Sequence, residues 1–328
     1  MGVMKPLRFF LVSVVALLPL APMLPAQAAA APAATSTPGQ GLEISPPVME
    51  LNANPGQTVD VKISLRDITS GPLVVTGQAD DFGAKNETGD PEILLNETGA
   101  SHYSLKYWIT QVPSLTLQSQ QIQTLSIPIN VPANAEPGGH YGVIRFTGLP
   151  PSLAATGVSL SASIGTLVLM RVAGKITESL NNTQFFASQN GRAHSFFEYG
   201  PITLSERIHN GGDVHVQPVG HVSIYNMLNH RIAYLAVNSA QGNILPASIR
   251  RFDQTLNERH LIGRYHASYN VVYGDSQKTL SASMSFWVIP WKLILIILVL
   301  LIAAFYAIRF GLGRYNRHII ESAKRPKR

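Results

Sequence analysis

Three features of the chain predict an all-β fold of two tandem immunoglobulin-like β-sandwiches followed by one C-terminal transmembrane α-helix. Residues 41–288 break into short alternating or β-branched runs separated by Pro, Gly and Asn turns, and they hold no amphipathic helical stretch of useful length. The runs fall into two sets of seven, and each set has the strand number and spacing of one sandwich. Beyond them, residues 293–308 (LILIILVLLIAAFYAI) are uninterrupted apolar sequence.

At the N-terminus, Lys5 and Arg8, the apolar run 9–20 and the small residues of Ala26-Gln27-Ala28 make 1–28 a secretory signal peptide. Residues 29–40 (AAAPAATSTPGQ) form a linker with nothing to pack. The first sandwich, 41–175, takes strands over 41–51, 58–66, 73–80, 103–110, 121–130, 141–147 and 158–172. Asn54-Pro55-Gly56 turns between the first two of these, and Pro137-Gly138-Gly139 leads into the sixth, its glycines allowing positive φ and close backbone approach. The second sandwich, 176–288, takes 176–186, 201–209, 214–225, 231–237, 248–255, 264–273 and 279–288, with turns at Asn210-Gly211-Gly212 and Tyr273-Gly274-Asp275.

The helix over 289–308, with Trp287 just ahead of it, reaches the roughly 20 residues that a span requires. Trp287 and Trp291 sit where interfacial aromatics lie, and Lys292 is placed to snorkel to the headgroups. Residues 309–328 form a basic cytoplasmic tail, which puts the N-terminus outside the cell membrane and the C-terminus inside. With almost no linker before the helix, the second sandwich stands on the bilayer and holds the first outward.

Of the 328 residues, 45% are hydrophobic, 13% are charged and none is Cys, so the chain can bury two cores but has no disulfide, thiolate metal site or cysteine nucleophile. The net charge of +6 is that of the tail alone, where seven basic residues from Arg309 onward face only Glu321. Residues 29–291 carry 15 basic and 18 acidic residues, which argues against nucleic-acid binding.

The segment 80–92 (DDFGAKNETGDPE) gathers five carboxylates, but its spacing fits no EF-hand and reads as a solvated polar loop, whose Asp80 and Asp81 could grip glycan hydroxyls. His209, Asp213 and His215 flank a Gly-Gly turn without a third strong ligand in register, so they stabilise the turn and hold no metal. Asn86, Asn96 and Asn181 each begin an Asn-x-Thr triplet, which matters only in a glycosylating host. Nucleophile-elbow, zinc-protease, phosphate-loop and dinucleotide patterns are all absent, so the chain reads as a binding protein, with neither catalytic residues nor a cofactor.

Residues 42–51 followed by Asn54-Pro55-Gly56-Gln57, then Ala79-Asp80-Asp81-Phe82, Tyr107-Trp108-Ile109 and VPANAEPGGHYGVIRF (131–146) resemble the WxL-interacting-protein family. Residues 207–218 and 243–252 look like recurrent features of related bacterial surface proteins. The resemblance implies an immunoglobulin-like peptidoglycan-binding domain, a second immunoglobulin-like domain that engages a WxL-type or host protein, and a membrane anchor. A single-pass bacterial surface protein that binds cell-wall glycan is therefore expected. The alternative is a protein-binding adhesin or surface-assembly factor that uses an exposed sheet edge and has no cell-wall affinity.

The resemblance transfers no binding residues, so the candidates come from the residue types themselves. On a strand, Tyr107 and Trp108 point to opposite faces, and whichever points outward can cover the apolar side of a sugar. Tyr141 and His140, just after the Gly-Gly pair, join Asp80 and Asp81 as the remaining ligand candidates.

Overall fold

A computed structural model describes residues 41–95, 101–149 and 162–323. The expected signal peptide and linker, the Asn96 triplet, the start of the strand expected from 158 and the last five residues of the expected tail lie outside them. The described chain is two β-sandwiches and one helix.

The first sandwich contains β1 (Leu42–Ser45), β2 (Val48–Ala53), β3 (Thr58–Asp67), β4 (Leu73–Lys85), β5 (Asp90–Leu94), β6 (Leu115–Leu117), β7 (Ile122–Asn130), β8 (Gly138–Leu149) and β9 (Ala162–Val172). One sheet has the order β1-β3-β7, and the other the order β2-β9-β8-β4-β5 with β6 beside the start of β4. The strand expected over 41–51 is thus two strands in different sheets. Pro46 and Pro47 have no N–H to donate, so the ladder to β3 stops and the chain crosses to lie parallel to β9. Ile63, Leu65, Ile127, Ile129, Ile144, Phe146, Val168 and Met170 fill the space between the sheets. Burying each such side chain contributes about 1.5–3 kcal/mol.

Two further expectations are corrected in this sandwich. Residues 103–110 hold no strand but a 3-10 turn, Lys106–Trp108, because the Asp81 carboxylate accepts the N–H groups of Leu105 and Lys106, both at 3.1 Å. The acidic loop at 80–92 is a β-hairpin, β4 running through it to Lys85 and β5 returning from Asp90. Asn86 and Gly89, both at positive φ, make its turn.

The second sandwich contains β10 (Leu180–Gln189), β11 (Arg192–Ala193), β12 (Phe196–Phe197), β13 (Ile202–Asn210), β14 (Val219–Asn226), β15 (Arg231–Val237), β16 (Ile249–Leu256), β17 (Gly263–Tyr273) and β18 (Lys278–Val288). Its sheets run β11-β10-β13-β16 and β12-β18-β17-β14-β15. Strand β17 shows the driving pattern most cleanly, with every second residue from Gly263 to Tyr273 buried. Tyr269, Val271, Phe286 and Val288 meet Ile202, Leu204 and Ile208 in the core. From Val288 the chain passes through Ile289 and Pro290 into α1 (Trp291–Ala323). Within α1, Trp291–Asn316 contains an 18-residue window with a mean hydropathy of 2.8, and its 26 residues span roughly 39 Å, long and apolar enough to cross a bilayer. The helix runs past the expected end at 308, so Arg309 and Arg314 ride on it.

One inward position of β13 is a carboxylic acid. Glu206 is fully buried, and burial pushes its carboxyl up to about 9, with the nearby Asp253 acting in the same direction. Gln254, with its amide nitrogen turned toward Glu206, donates at 2.5 and 3.0 Å. Because the folded value lies above the unfolded one, the folded state holds a proton that the unfolded state releases, and stability falls as pH rises between them. The expected slope is about 1.4 kcal/mol per pH unit from about pH 5 to pH 8. Denaturant titrations across this range should show the slope, and Glu206→Gln should flatten it and raise stability at pH 8. An unchanged slope in the variant would assign it to another group.

Candidate functional site

The sheet containing β8 and β9 is apolar on both faces. Its inner face closes the first core, while its outer face lines up Leu167 with Val143 and Leu169 with Tyr141 across neighbouring strands, with Phe82 on β4 nearby. Such a face must be covered, and the second sandwich covers it with Leu245 and the turn that carries His215.

Tyr141 is the centre of this contact. Its hydroxyl accepts the backbone N–H of His215 at 2.8 Å and lies within hydrogen-bond distance, 3.2 Å, of that residue's Nδ1. The ring meets His215 edge to face at 5.6 Å. Burial raises the phenol far above its ordinary range and pulls the His215 imidazole down, so both are neutral. Gly138, at φ +127°, lets β8 begin against the second sandwich, since a Cβ there would sit 2.7 Å from the Asp213 carbonyl oxygen. The Gly139 N–H donates to that same oxygen at 2.7 Å.

Charged contacts close the two ends of the interface. At the hairpin turn, Arg207 grips Glu87 through Nε at 2.8 Å and through Nη2, which holds the Glu87 carboxyl below its usual range. The Glu87 carbonyl accepts the Arg251 N–H at 2.8 Å. At the far end of β9, Arg171 reaches Asp275 at 2.8 Å and Glu178 at 3.3 Å. Glu50 on β2 accepts from Asn243 at 2.7 Å and Gln217 at 3.0 Å, and so stands between two cavities.

The cavity on the Arg171 side of Glu50 is about 510 Å³, with Glu178, His215 and Asp275 among its polar walls. The other, about 420 Å³, has Val48, Phe82, Leu167 and Leu169 on one wall and Asn243, Leu245 and Arg250 on the opposite one. The Arg250 guanidinium lies where Gly89 and Gly242 leave no space for a Cβ. Its Nη1 donates to the Asn243 carbonyl at 2.7 Å, and among the described residues no carboxylate lies within ion-pair distance of it. Its Nε and the Asn243 Oδ1 are buried without a hydrogen-bond partner. Burial holds this guanidinium below its usual value, an effect that the Asp90 carboxylate partly offsets.

Of the sequence-derived candidates, only Tyr107 faces solvent, 57% exposed, with the Lys106 ammonium 5.0 Å from its ring. Trp108 packs on the first core and against the ring of His140 at 4.2 Å. His140 is buried, its Nε2 donating to the Glu136 carbonyl at 3.0 Å. Asp80 is held by Arg145 through two contacts at 2.9 and 3.0 Å. Asp81, besides capping the 3-10 turn, accepts from the Ser104 hydroxyl at 2.6 Å. Tyr141 joins the two sandwiches as described. Asp213 takes the Thr177 N–H at 2.8 Å, and no group of three metal-ligating side chains occurs among the described residues. The sequence marks 243–252 as a segment without picking out Arg250 or Asn243, and it marks Glu87 only as one of the five carboxylates of 80–92.

No protein-family model matches the chain, and no curated protein matches it. Solved structures do match it. A chaperone–tip adhesin complex of CFA/I fimbriae biogenesis is 12% identical, with 74% of this chain and 98% of that one covered and a TM-score of 0.41. The class 5 fimbriae chaperone CfaA is 14% identical over 74% and 98%, with a TM-score of 0.39. The YadV chaperone is 14% identical over 75% and 100%, with a TM-score of 0.37. At such identities the likeness is one of fold alone, and neither comparison with families or curated proteins brings in the WxL-interacting family.

Removing the Tyr141 hydroxyl strands the His215 N–H and Nδ1, each at a cost of about 1–3 kcal/mol. Tyr141→Phe should therefore destabilise the joined sandwiches and speed amide exchange at His215, which hydrogen-exchange mass spectrometry would report. His215 has a folded value below its unfolded one, so its contribution is present above about pH 6.5 and fades as pH falls. Protection factors at the interface, each referred to the intrinsic exchange rate at its own pH, should fall on acidification, and unchanged protection factors at pH 5 would contradict this.

Proposed function

We propose that this chain is a membrane-anchored binding protein that holds an extended segment of a partner protein in the groove between its sandwiches. The observation that carries this reading is Arg250, a half-buried guanidinium without a carboxylate partner, set opposite the apolar row of Leu167 and Leu169. A guanidinium in that setting calls for an acceptor from outside the chain, and a carboxylate supplies the strongest one. An extended segment with apolar side chains and one acidic residue meets both the apolar row and the guanidinium. In this reading α1 crosses the membrane, the basic tail lies inside and the sandwiches lie outside, engaging a surface or host protein. Tethering makes a modest affinity effective at the cell surface.

A second reading, binding of peptidoglycan, rests on Tyr107, whose exposed ring can stack on a sugar. The two readings separate experimentally. Panning a random peptide display library on the detergent-purified full chain should enrich sequences that combine an acidic residue with alternating apolar ones. Arg250→Met should weaken their binding at least tenfold, about 1.4 kcal/mol or more. Peptides without an acidic residue, or binding unaffected by Arg250→Met, would count against the groove. Retention on isolated cell walls that is lost in Tyr107→Ala would favour the glycan reading.

A further inference from the structure

The end of the second sandwich from which α1 emerges carries an apolar collar. Strand register fixes which loops lie there. Gly263 on β17 pairs with Val288, and Asn226 at the end of β14 pairs with Tyr265, so the 227–230 turn and the 257–262 loop flank the point where β18 leaves for the helix. Strand β12 runs parallel to the end of β18, with Phe196 beside Trp287 and Phe197 beside Val288. The Ile289 N–H donates to the Phe197 carbonyl at 2.8 Å, and Lys292, in the first turn of α1, bonds Glu198 at 2.8 Å. The helix therefore leaves the sandwich next to these loops, with only Ile289 and Pro290 between strand and helix.

On those loops Phe196, Tyr199, Met227, Leu228 and Ile262 are 57–70% exposed. None of the five belongs to the second core. Trp287 and Trp291, both exposed, continue the same apolar surface onto the helix. Around them Arg192, Arg231, Arg259, Arg264 and Lys292 are exposed, five basic residues against the acids Glu198 and Glu258.

We propose that this end of the second sandwich is an interfacial membrane-docking surface, in which the loops 196–199, 227–228 and 262 sink among the headgroups of the bilayer that α1 crosses. The proposal rests on the reading of α1 as a membrane span. The occupant follows from continuity, because a bilayer that begins near Trp291 meets these loops, and from charge, because the basic ring matches anionic headgroups. Exposed aromatic and aliphatic side chains within a basic rim are what an interfacial surface requires, and a water-facing loop gains nothing from them. The sandwich then stands at a fixed height and tilt on the membrane, and the groove stands above it.

The absence of Cys makes the test direct, since a single spin label can be placed without altering another residue. Full-length Leu228→Cys, Ile262→Cys, Leu300→Cys and Ser281→Cys variants would be labelled and reconstituted in phosphatidylcholine–phosphatidylglycerol vesicles, and the collisional accessibility of each label to oxygen and to a water-soluble nickel chelate would be measured. Labels at Leu228 and Ile262 should favour oxygen severalfold over the Ser281 label on β18, and the Leu300 label should do so most strongly. Immersion at Leu300 with aqueous signals at Leu228 and Ile262 would overturn the docking surface and leave the anchor intact. An aqueous Leu300 label would overturn the anchor and the docking surface together. Labels at Leu228 and Ile262 shielded from both reagents and broadened by spin–spin coupling would mean that a second copy covers the surface, which also overturns the proposal.

Discussion

The arrangement depends on one constraint: a sheet that is apolar on both faces. In a lone sandwich the outer face of β8 and β9 would be polar and the strands would alternate. Here β8 is buried at nearly every position from Gly138 to Gly148, which is the pattern of a strand covered on both sides. The second sandwich supplies the cover, and Tyr141 makes the cover specific. A phenol buried between the sandwiches needs its hydroxyl satisfied, and only the His215 backbone and ring, in register, satisfy it. Apolar contact brings the two halves together, and this pair of hydrogen bonds fixes how they sit.

The charged contacts act on that fixed geometry. Exposed ion pairs contribute little to stability on their own, but Glu87–Arg207 lies at the tip of a hairpin that reaches across the interface, and Arg171 bridges two carboxylates at the opposite end. Between these two clasps the surfaces do not meet completely. The gap is where the Arg250 Nε and the Asn243 Oδ1 stand without hydrogen-bond partners. Unsatisfied groups of this kind are costly in a protein that gains nothing from them, and they border the groove on which the proposed binding rests. At the other end of the second sandwich the same logic applies to apolar groups left in the open.

Much of the fold was legible in local pattern. Strand β15 has the boundaries that its alternation implies, and most of the others lie within a few residues of theirs, because period-two burial is a local signal. The failures were non-local. Tyr107-Trp108-Ile109 is aromatic and β-branched, yet it turns, because a carboxylate more than twenty residues earlier takes the N–H groups of Leu105 and Lys106 just before it. Strand β5 is polar and exposed and pairs only through a tight turn, so nothing in its own composition marks it as a strand. The site was less legible than the fold. Residues 207–218 and 243–252 stood out as segments, and both meet the first sandwich, but the room for the Arg250 guanidinium depends on Gly89 and Gly242, which come from different domains. Asp80, Asp81, His140 and Tyr141 have the composition of a ligand site, and the structure uses each of them to join its own parts.

The central claim is that the two sandwiches form one rigid unit across the covered sheet face. Pulsed electron resonance between labels at Lys62→Cys on β3 and Ser281→Cys on β18, both exposed, measures this directly in the full chain. A single narrow distance distribution is the predicted result. A broad or multiple distribution at neutral pH would mean that the sandwiches move independently, and the groove between them would not be a preformed site.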